Sequence, residues 1–183
     1  TEVARLSIVH MQDDGRGGGH PSTVLGYYDA PSMAPQVHDI EVWLDVVYNH
    51  TTEEDEHGPT YNLRALADRQ YYVHGEDHSY VDDAGCGNII DTDSPIACDL
   101  IMRSLERFAD LGVDGFRFDL ATVLARNPDF VRHIGDWADG RGVRVVAEAW
   151  DMVRYHVGRA WPDRRWMQWN GRYRDDMRGF LRG

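Results

Sequence analysis

The sequence predicts an α/β fold with a parallel sheet, either closed or open. Three apolar runs rich in β-branched and aromatic residues, at 41–48, 113–119 and 143–148, predict buried strands. Helical patterns precede the second run and separate it from the third, so the order helix, strand, helix, strand recurs along the second half of the chain. This alternation is typical of strands that lie parallel in one sheet and are joined by crossover helices.

The first half of the chain predicts two strands and two long polar segments. Residues 3–9 form an apolar run that predicts a strand, and residues 13–36, rich in Gly, Pro and Ser, predict a loop. The run EVWLDVVY at 41–48 predicts a strongly buried strand. Residues 51–93 are polar and rich in turn residues, with no long periodic segment, so they predict a long irregular excursion. Excursions of this length in a compact domain are commonly functional.

Capping residues place three helices in the second half. Ser94, followed by a proline, predicts the start of a helix that ends at Gly112. Asn127, also followed by a proline, predicts the start of a second helix with Gly140 or Gly142 near its end. A last short helix is predicted around residues 173–181.

Composition excludes several classes of partner. A net charge of −12, from 31 acidic against 19 basic residues, argues against binding to nucleic acid or to an anionic membrane. No apolar run is long enough for a transmembrane helix and no signal-peptide pattern is present, so we expect a cytoplasmic protein. Cys86 and Cys98 are too few for a disulfide framework and are expected to be reduced. The histidines at 74–78 fit no zinc spacing, and we expect neither a metal nor a cofactor.

Two acids stand at the ends of neighbouring predicted strands. Asp119 ends the run at 113–119 and Glu148 ends the run at 143–148, about one strand–helix–strand repeat later. Adjacent parallel strands lie about 4.8 Å apart, so both carboxylates are expected at the same, C-terminal end of the sheet. Two carboxylates about 5 Å apart are what a retaining glycosidase uses, one as nucleophile and one as acid/base.

The neighbours of these acids suggest different roles. Arg117 is two positions before Asp119, so both side chains are expected on one face of the strand. A guanidinium beside a carboxylate favours its ionised form, which suits a nucleophile. Glu148 lies between an apolar run and Trp150, and apolar surroundings would favour the protonated form that a general acid requires.

Several segments resemble known motifs. DVVYNH at 45–50, GFRFDLA at 115–121 and AEAW at 147–150 resemble three signature regions of the α-amylase superfamily of glycoside hydrolases, in the right order and spacing. YVDDAGCGN at 80–88 and WNGRYRDDMRGFLRG at 169–183 resemble isoamylase-type glycogen debranching enzymes of that superfamily. The resemblance implies hydrolysis of α-1,6 branch linkages in glycogen or other branched α-glucans.

The resemblance also implies residue roles. Asp119 matches the nucleophile, Glu148 the general acid/base, and Arg117 the arginine that orients the nucleophile. Asn49 matches a position that supports calcium in some amylases, although we expect no calcium here because debranching enzymes of this type often lack that site. The residues implied to contact substrate are Asp45, Tyr48, His50, Arg117 and Trp150.

The resemblance covers about residues 42–183 and implies a partial (β/α)8 TIM-type barrel. Residues 3–10 resemble the second barrel strand, so residues 1–183 are expected to form one incomplete catalytic domain with roughly the second to fifth strand units. The later His-Asp region that carries the family's third carboxylate does not occur in this sequence. An alternative is therefore a catalytically silent truncated remnant with at most weak glucan binding. Another family member, such as a trehalose-releasing or branching enzyme, is disfavoured by the loop around Cys86 and the segment from Trp169.

Overall fold

The structure is a computed structural model that describes residues 5–13, 19–29, 41–151 and 156–183, with side chains in the last two ranges. Its main sheet has four parallel strands in the order β3-β4-β5-β6, which confirms an α/β fold with a parallel sheet. These strands are β3 (Trp43–Val46), β4 (Gly115–Phe118), β5 (Arg144–Ala147) and β6 (Met167–Gln168). β6 was not predicted, because two residues are too few to show a strand pattern.

The three predicted helices of the second half are present. They are α2 (Pro95–Asp110), α3 (Pro128–Arg141) and α4 (Gly171–Arg182), the last being longer than predicted. The Asn127 side chain accepts the N–H of Phe130 at the start of α3, and Gly142 ends that helix in the left-handed conformation at φ 68°. Ser94 occupies the N-cap position of α2, but its side chain makes no capping hydrogen bond.

The core lies between the main sheet and the helices that cross over it. Phe116 and Phe118 of β4 are fully buried and pack in one cluster with Leu105 of α2 and Ile134 of α3. Because side chains alternate along a strand, Arg117 projects from the opposite face of β4. One face of the sheet is therefore apolar and covered by helices, and the other face carries charge.

The N-terminal region differs from the prediction in two ways. Strand β1 (Arg5–Asp13) pairs antiparallel with strand β2 (Gly19–Asp29) in a separate two-stranded sheet. The prediction that residues 3–10 belong to the parallel sheet was therefore wrong. The prediction of a loop at 13–36 was also wrong for residues 19–29, which form β2. Residues of high β propensity at positions 23–28 outweigh the flanking Gly and Pro, and both strands are edges, where proline is tolerated. The rest of that predicted loop, and positions 3 and 4 of the predicted strand, lie outside the described residues.

The excursion at 51–93 contains a helix that the sequence did not predict. Helix α1 (Leu63–Tyr71) is short, buries none of its residues and contains a non-helical residue at Ala67, so it shows no long apolar period. The Glu53 carboxylate, ten residues before the first helical residue, accepts the backbone N–H groups at the start of the helix. A sequence pattern within the helix cannot reveal a contact with a residue so far upstream. Isolated bridges join Tyr72 to Ile90 and His74 to Tyr80. Across the described ranges, no helix has the length and apolar character needed to cross a membrane.

Candidate active site

The C-terminal ends of three parallel strands bring the two predicted acids together. Asp119 follows β4, and its N–H donates to the carbonyl of Val46 in β3 at 3.0 Å. Glu148 follows β5, and its N–H donates to the carbonyl of Phe118 in β4 at 3.0 Å. The ladder therefore continues past the strands and fixes both acids at one end of the sheet, as the sequence predicts.

Arg117 binds three carboxylates at this end of the sheet. Its Nη1 donates to Oδ1 of Asp119 at 2.8 Å and to Oδ1 of Asp45 at 2.7 Å. Its Nη2 donates to Oε2 of Glu148 at 2.8 Å. Burial lowers the pKa of Arg117, but the hydrogen bonds to Asp45 and Asp119 and the surrounding negative charge raise it above its usual value. Arg117 is therefore a permanent cation that links both predicted catalytic acids.

Asn49 holds Asp119 from the other side. It is fully buried, and its Nδ2 donates to the backbone carbonyl of Asp119 at 2.7 Å and to its Oδ2 at 2.9 Å. With Arg117 on Oδ1 and Asn49 on Oδ2, both oxygens of Asp119 accept hydrogen bonds, and the carboxylate is fixed in one orientation. The sequence analysis linked Asn49 only to a position that supports calcium in some amylases. It did not predict this contact with Asp119.

Glu148 has charged and polar partners rather than the apolar surroundings that its sequence neighbours suggested. Its Oε2 accepts from Arg117 and also from the backbone N–H of Leu120 at 3.1 Å. Leu120 directly follows Asp119 and has a positive φ of 38°, a conformation that is strained for a leucine. The residue that follows Asp119 at the end of β4 therefore donates its backbone N–H to Glu148 at the end of β5.

His50 lies beside this group, whereas Tyr48 does not. Burial lowers the pKa of His50 below its usual 6.5, although the charges of Asp119 and Asp82 act to raise it, so the ring is mainly neutral at pH 7. Its Nδ1 hydrogen-bonds Oδ1 of Asn49. Because that oxygen only accepts, Nδ1 carries the proton and Nε2 is a hydrogen-bond acceptor.

Tyr48 points to the helix-covered face of the sheet. Its hydroxyl lies 2.8 Å from the Ser104 hydroxyl in α2, and its ring centroid lies 6.0 Å from that of Phe118. It also lines a cavity of about 290 Å³ between α2 and the excursion. The structure therefore does not bring Tyr48 to the carboxylates, unlike Asp45, His50 and Arg117.

Two tryptophans flank the carboxylates, and the sequence pointed to only one of them as a site residue. Trp150 lies two residues after Glu148, and its ring centroid is 6.2 Å from that of Trp169. The Cζ atom of Arg117 lies 4.2 Å from the Trp169 ring centroid, and that of Arg174 lies 5.5 Å from the Trp150 ring. Trp169 directly follows the short strand β6, so no strand pattern marked its position.

The remaining predicted features concern metals and thiols. Within residues 41–151 and 156–183, no group of three or more metal-ligating side chains is arranged to hold a metal ion. His74 binds Asp68 through Nε2 at 3.0 Å and the carbonyl of Tyr72 through Nδ1 at 3.0 Å, so both its ring nitrogens have protein partners. Cys86 and Cys98 are free thiols, as predicted.

Comparison with known proteins gives several relatives. No protein-family model matches the chain. It is 37% identical over 181 residues to "Isoamylase 3, chloroplastic" of Oryza sativa subsp. japonica, a match that covers 91% of this chain and 23% of that relative. It is 41% identical over 150 residues to "Glycogen debranching enzyme" of Pectobacterium carotovorum subsp. carotovorum, covering 77% of this chain and 22% of that relative.

A solved structure shares the same fold. The crystal structure of a pullulanase from Anoxybacillus sp. LM18-11, complexed with maltotriose, matches with a TM-score of 0.64 and 26% identity, over 76% of this chain and 21% of the pullulanase. The chain thus spans about a quarter or less of the length of these relatives. These matches confirm the resemblance that the motifs indicate: the chain is homologous to a segment of isoamylases and glycogen debranching enzymes.

Proposed function

We propose that this chain carries the nucleophile and the acid/base of a retaining glycoside hydrolase that cleaves α-1,6 branch linkages in glycogen and other branched α-glucans. The observation that carries the proposal is the pair Asp119 and Glu148, joined through Arg117 at the C-terminal end of a parallel sheet. Active sites of parallel barrels lie at that end. Relatives named glycogen debranching enzyme and isoamylase support the class of substrate.

Asp119 is the proposed nucleophile. Its carboxylate accepts a hydrogen bond from the Arg117 guanidinium on Oδ1 and one from the Asn49 amide on Oδ2, so two partners hold it in place. Fixed in orientation, Asp119 attacks the anomeric carbon and forms a covalent glycosyl-enzyme intermediate as the bond to the leaving oxygen breaks.

Glu148 is the proposed acid/base. Arg117 and the Leu120 N–H both donate to Oε2, so the proton of the acid form resides on Oε1. Glu148 gives this proton to the leaving oxygen in the first step and takes one from water in the second step. The anomeric carbon is inverted in each step, so its configuration is retained overall.

The remaining site residues have supporting roles in this proposal. Nε2 of neutral His50 accepts a hydrogen bond from a sugar hydroxyl, and Asp45 sets the position of Arg117 through its 2.7 Å contact. Trp150 supplies an aromatic face for a sugar ring. Tyr48 acts indirectly, because its contacts with Ser104 and Phe118 hold β3 against α2.

We further propose that the parallel sheet is part of a (β/α)8 barrel and that residues 1–183 are an incomplete catalytic domain. Because β6 continues the sheet and β1 does not, the four strands correspond to the third to sixth barrel strands rather than the second to fifth. The likeness to the pullulanase structure supports the α/β fold with a parallel sheet on which this proposal rests. Residues 51–93 follow β3 at the end of the sheet where substrate would bind. We propose a cytoplasmic location because both cysteines are free thiols.

A side-by-side assay on pullulan, amylopectin and amylose tests the proposal. We expect the chain to hydrolyse the two substrates that contain α-1,6 linkages and to leave amylose intact. Asp119→Asn and Glu148→Gln are expected to lose more than about 1,000-fold in kcat, because each removes a group that acts on the reacting atoms. The matched control is Glu106→Gln, the same chemical change at an exposed position on α2.

Two results would contradict the proposal. Unchanged hydrolysis by Asp119→Asn would exclude it as the nucleophile. Absence of hydrolysis by the unsubstituted chain, with intact fold, would favour the alternative of a catalytically silent remnant. Binding of maltotriose or glycogen by that inactive chain, measured by calorimetry, would then determine whether a glucan-binding function remains.

A further inference from the structure

Trp169 lies against Arg117, the cation that links the carboxylates in the described part of the chain. We propose that Trp169 is a positioning residue that holds Arg117, and through it Asp119 and Glu148, in the reactive arrangement; this inference rests on the function proposed above. The Arg117 Cζ lies 4.2 Å from the Trp169 ring centroid. That distance is well within the range for a guanidinium attracted to the face of an indole ring.

The contacts of Arg117 with the carboxylates leave its faces unrestrained. Both terminal nitrogens are used: Nη1 binds Asp119 and Asp45, and Nη2 binds Glu148. These hydrogen bonds act at the edge of the planar group. Its Nε is buried and has no hydrogen-bond partner in the described part of the chain, so it adds no further anchor. The Trp169 ring, whose centroid lies 4.2 Å from Cζ, therefore adds a restraint on the guanidinium beyond the hydrogen bonds of its terminal nitrogens.

Trp169 is itself placed by the sheet and by α4. Its backbone N–H donates to the carbonyl of Ala147 at 3.0 Å, one residue before Glu148. The next residue, Asn170, caps α4, since its Oδ1 accepts the N–H of Tyr173 at 3.0 Å. The tryptophan is thus held between the strand that carries the proposed acid/base and the start of a helix.

The exposure of Trp169 separates it from the tryptophans of the core. Trp161 and Trp166 are each 3% exposed and pack together with a centroid distance of 5.6 Å, as core residues do. Trp169 is 44% exposed, so its main buried contacts are not with the core cluster. A large aromatic side chain at the surface, stacked on the central cation of the site, is better explained by the site than by stability of the fold.

The arrangement predicts an effect on kcat rather than on KM. One guanidinium contacts both acids, so a tilt of Arg117 disturbs the nucleophile and the acid/base together. Each of them acts mainly on the transition state, and loss of their alignment lowers kcat without a matching change in KM.

Two pairs of variants test the role of Trp169. Trp169→Leu and Trp169→Gln remove the aromatic face, Trp169→Phe keeps one, and Phe180→Leu removes an exposed aromatic side chain on α4. The first measurement is the ¹⁵N relaxation order parameter of the Arg117 Nε–H bond. In the unsubstituted chain and in Trp169→Phe and Phe180→Leu we expect a rigid value of about 0.85. In Trp169→Leu and Trp169→Gln, which lack the aromatic face, we expect a value below about 0.6.

The second measurement is hydrolysis of pullulan by the same variants. We expect kcat to fall about tenfold in Trp169→Leu and Trp169→Gln with KM within about twofold, and rescue to within about threefold in Trp169→Phe. Melting temperatures identify any variant that does not fold. If Trp169→Leu does not fold but Trp169→Gln does, the Gln variant alone is used for the comparison.

The inference is overturned if the Arg117 Nε–H stays rigid without the aromatic face, or if Trp169→Phe is impaired as much as Trp169→Leu. The relaxation measurement does not depend on catalysis. If the unsubstituted chain hydrolyses no glucan, the proposed function fails, and the mobility of Arg117 still decides whether Trp169 positions it.

Discussion

Asn49 donates from its one amide nitrogen to both the backbone carbonyl and the side-chain carboxylate of Asp119, at 2.7 and 2.9 Å. This contact joins the residues that follow two neighbouring strands, β3 and β4. The amide is fully buried, so its hydrogen bonds are not weakened by competition with water. The orientation of the proposed nucleophile is therefore set by a buried neutral donor as well as by the Arg117 cation.

Asn49→Asp is expected to damage the site severely. The substitution replaces the donor with a buried carboxylate next to Asp119, and like charges at this distance repel. We expect a loss of more than about 100-fold in kcat and of about 2–4 kcal/mol in the free energy of unfolding. Pullulan hydrolysis and urea unfolding measure these two effects.

A matched control for this change is Asn170→Asp at the N-cap of α4. Aspartate caps a helix about as well as asparagine, so the free energy of unfolding should change by less than about 0.5 kcal/mol. Full activity in Asn49→Asp would show that the buried amide does not position Asp119.

Arg117→Lys should show that the shape of the guanidinium matters as well as its charge. An ammonium group is a compact point charge and cannot hold Asp45, Asp119 and Glu148 at the positions seen for the two Nη atoms. We expect kcat on pullulan to fall about 100-fold. Arg103→Lys changes an exposed pair with Asp99 on α2 in the same way and should leave kcat unchanged. An active Arg117→Lys variant would argue against a bridging role.

Glu53 should make the stability of the chain depend on acid pH. Its carboxylate is fully buried and accepts backbone N–H groups at the start of α1, beside the N-cap residue Asn62. The groups that donate to it are the Tyr72 hydroxyl at 2.6 Å and the backbone N–H groups of Tyr61, Asn62 and Arg64 at 2.6, 2.9 and 3.0 Å. Burial raises the pKa of Glu53, but these hydrogen bonds together lower it from 4.5 to about 2.

The direction of the pH effect follows from this lowered pKa. Between pH 4.5 and about 2 the unfolded chain binds the Glu53 proton more readily than the folded chain does. The contribution of Glu53 is therefore fully present above pH 4.5 and is lost as the pH falls toward about 2. We expect Glu53→Gln to cost about 2 kcal/mol at pH 7 and to reduce the slope of unfolding free energy against pH in that window. An unchanged slope in urea unfolding from pH 5 to about 2.5 would contradict the assignment.

Two glycines in the segment at 80–88 allow the cost of an unfavourable backbone conformation to be compared with the cost of a steric clash. Gly85 and Gly87 both have positive φ, at 72° and 89°. An added Cβ at Gly85 meets nothing within 4 Å, whereas one at Gly87 would lie 2.7 Å from the backbone nitrogen of Asp55.

Gly85→Ala should therefore cost about 1 kcal/mol of unfolding free energy, from the left-handed conformation alone. Gly87→Ala should cost more than about 3 kcal/mol, because the backbone of the excursion must also move. Urea unfolding of the two variants checks the difference. Equal costs would mean that the approach of Gly87 to Asp55 is not tight.

The parts of the fold that the sequence predicted are those specified by local signals. The apolar runs at 113–119 and 143–148 and the caps at Asn127 and Gly142 mark β4, α3 and β5 within a few residues. Helix α1 escaped prediction because Glu53 holds its start from outside the helix. Strand β2 escaped because Gly19, Pro21 and Ser22 at its start obscured the β-forming residues that follow them.

The site shows the same division. Asp119, Glu148 and Arg117 were predicted because the ends of parallel strands converge and because side chains two apart share a face. The contacts of Asn49 and Trp169 were not predicted, since each depends on a partner from another strand. Tyr48 lies next to residues of the site in sequence, yet it follows the end of β3 and its hydroxyl contacts Ser104 of α2 instead.

The most direct test of retaining α-1,6 cleavage by Asp119 and Glu148 is the configuration of the first product. Proton NMR of the anomeric region during early hydrolysis of pullulan by the unsubstituted chain reports it before mutarotation. We expect the α-anomer to form first and Asp119→Asn to produce none. A first-formed β-anomer, or equal product from Asp119→Asn, would contradict the account.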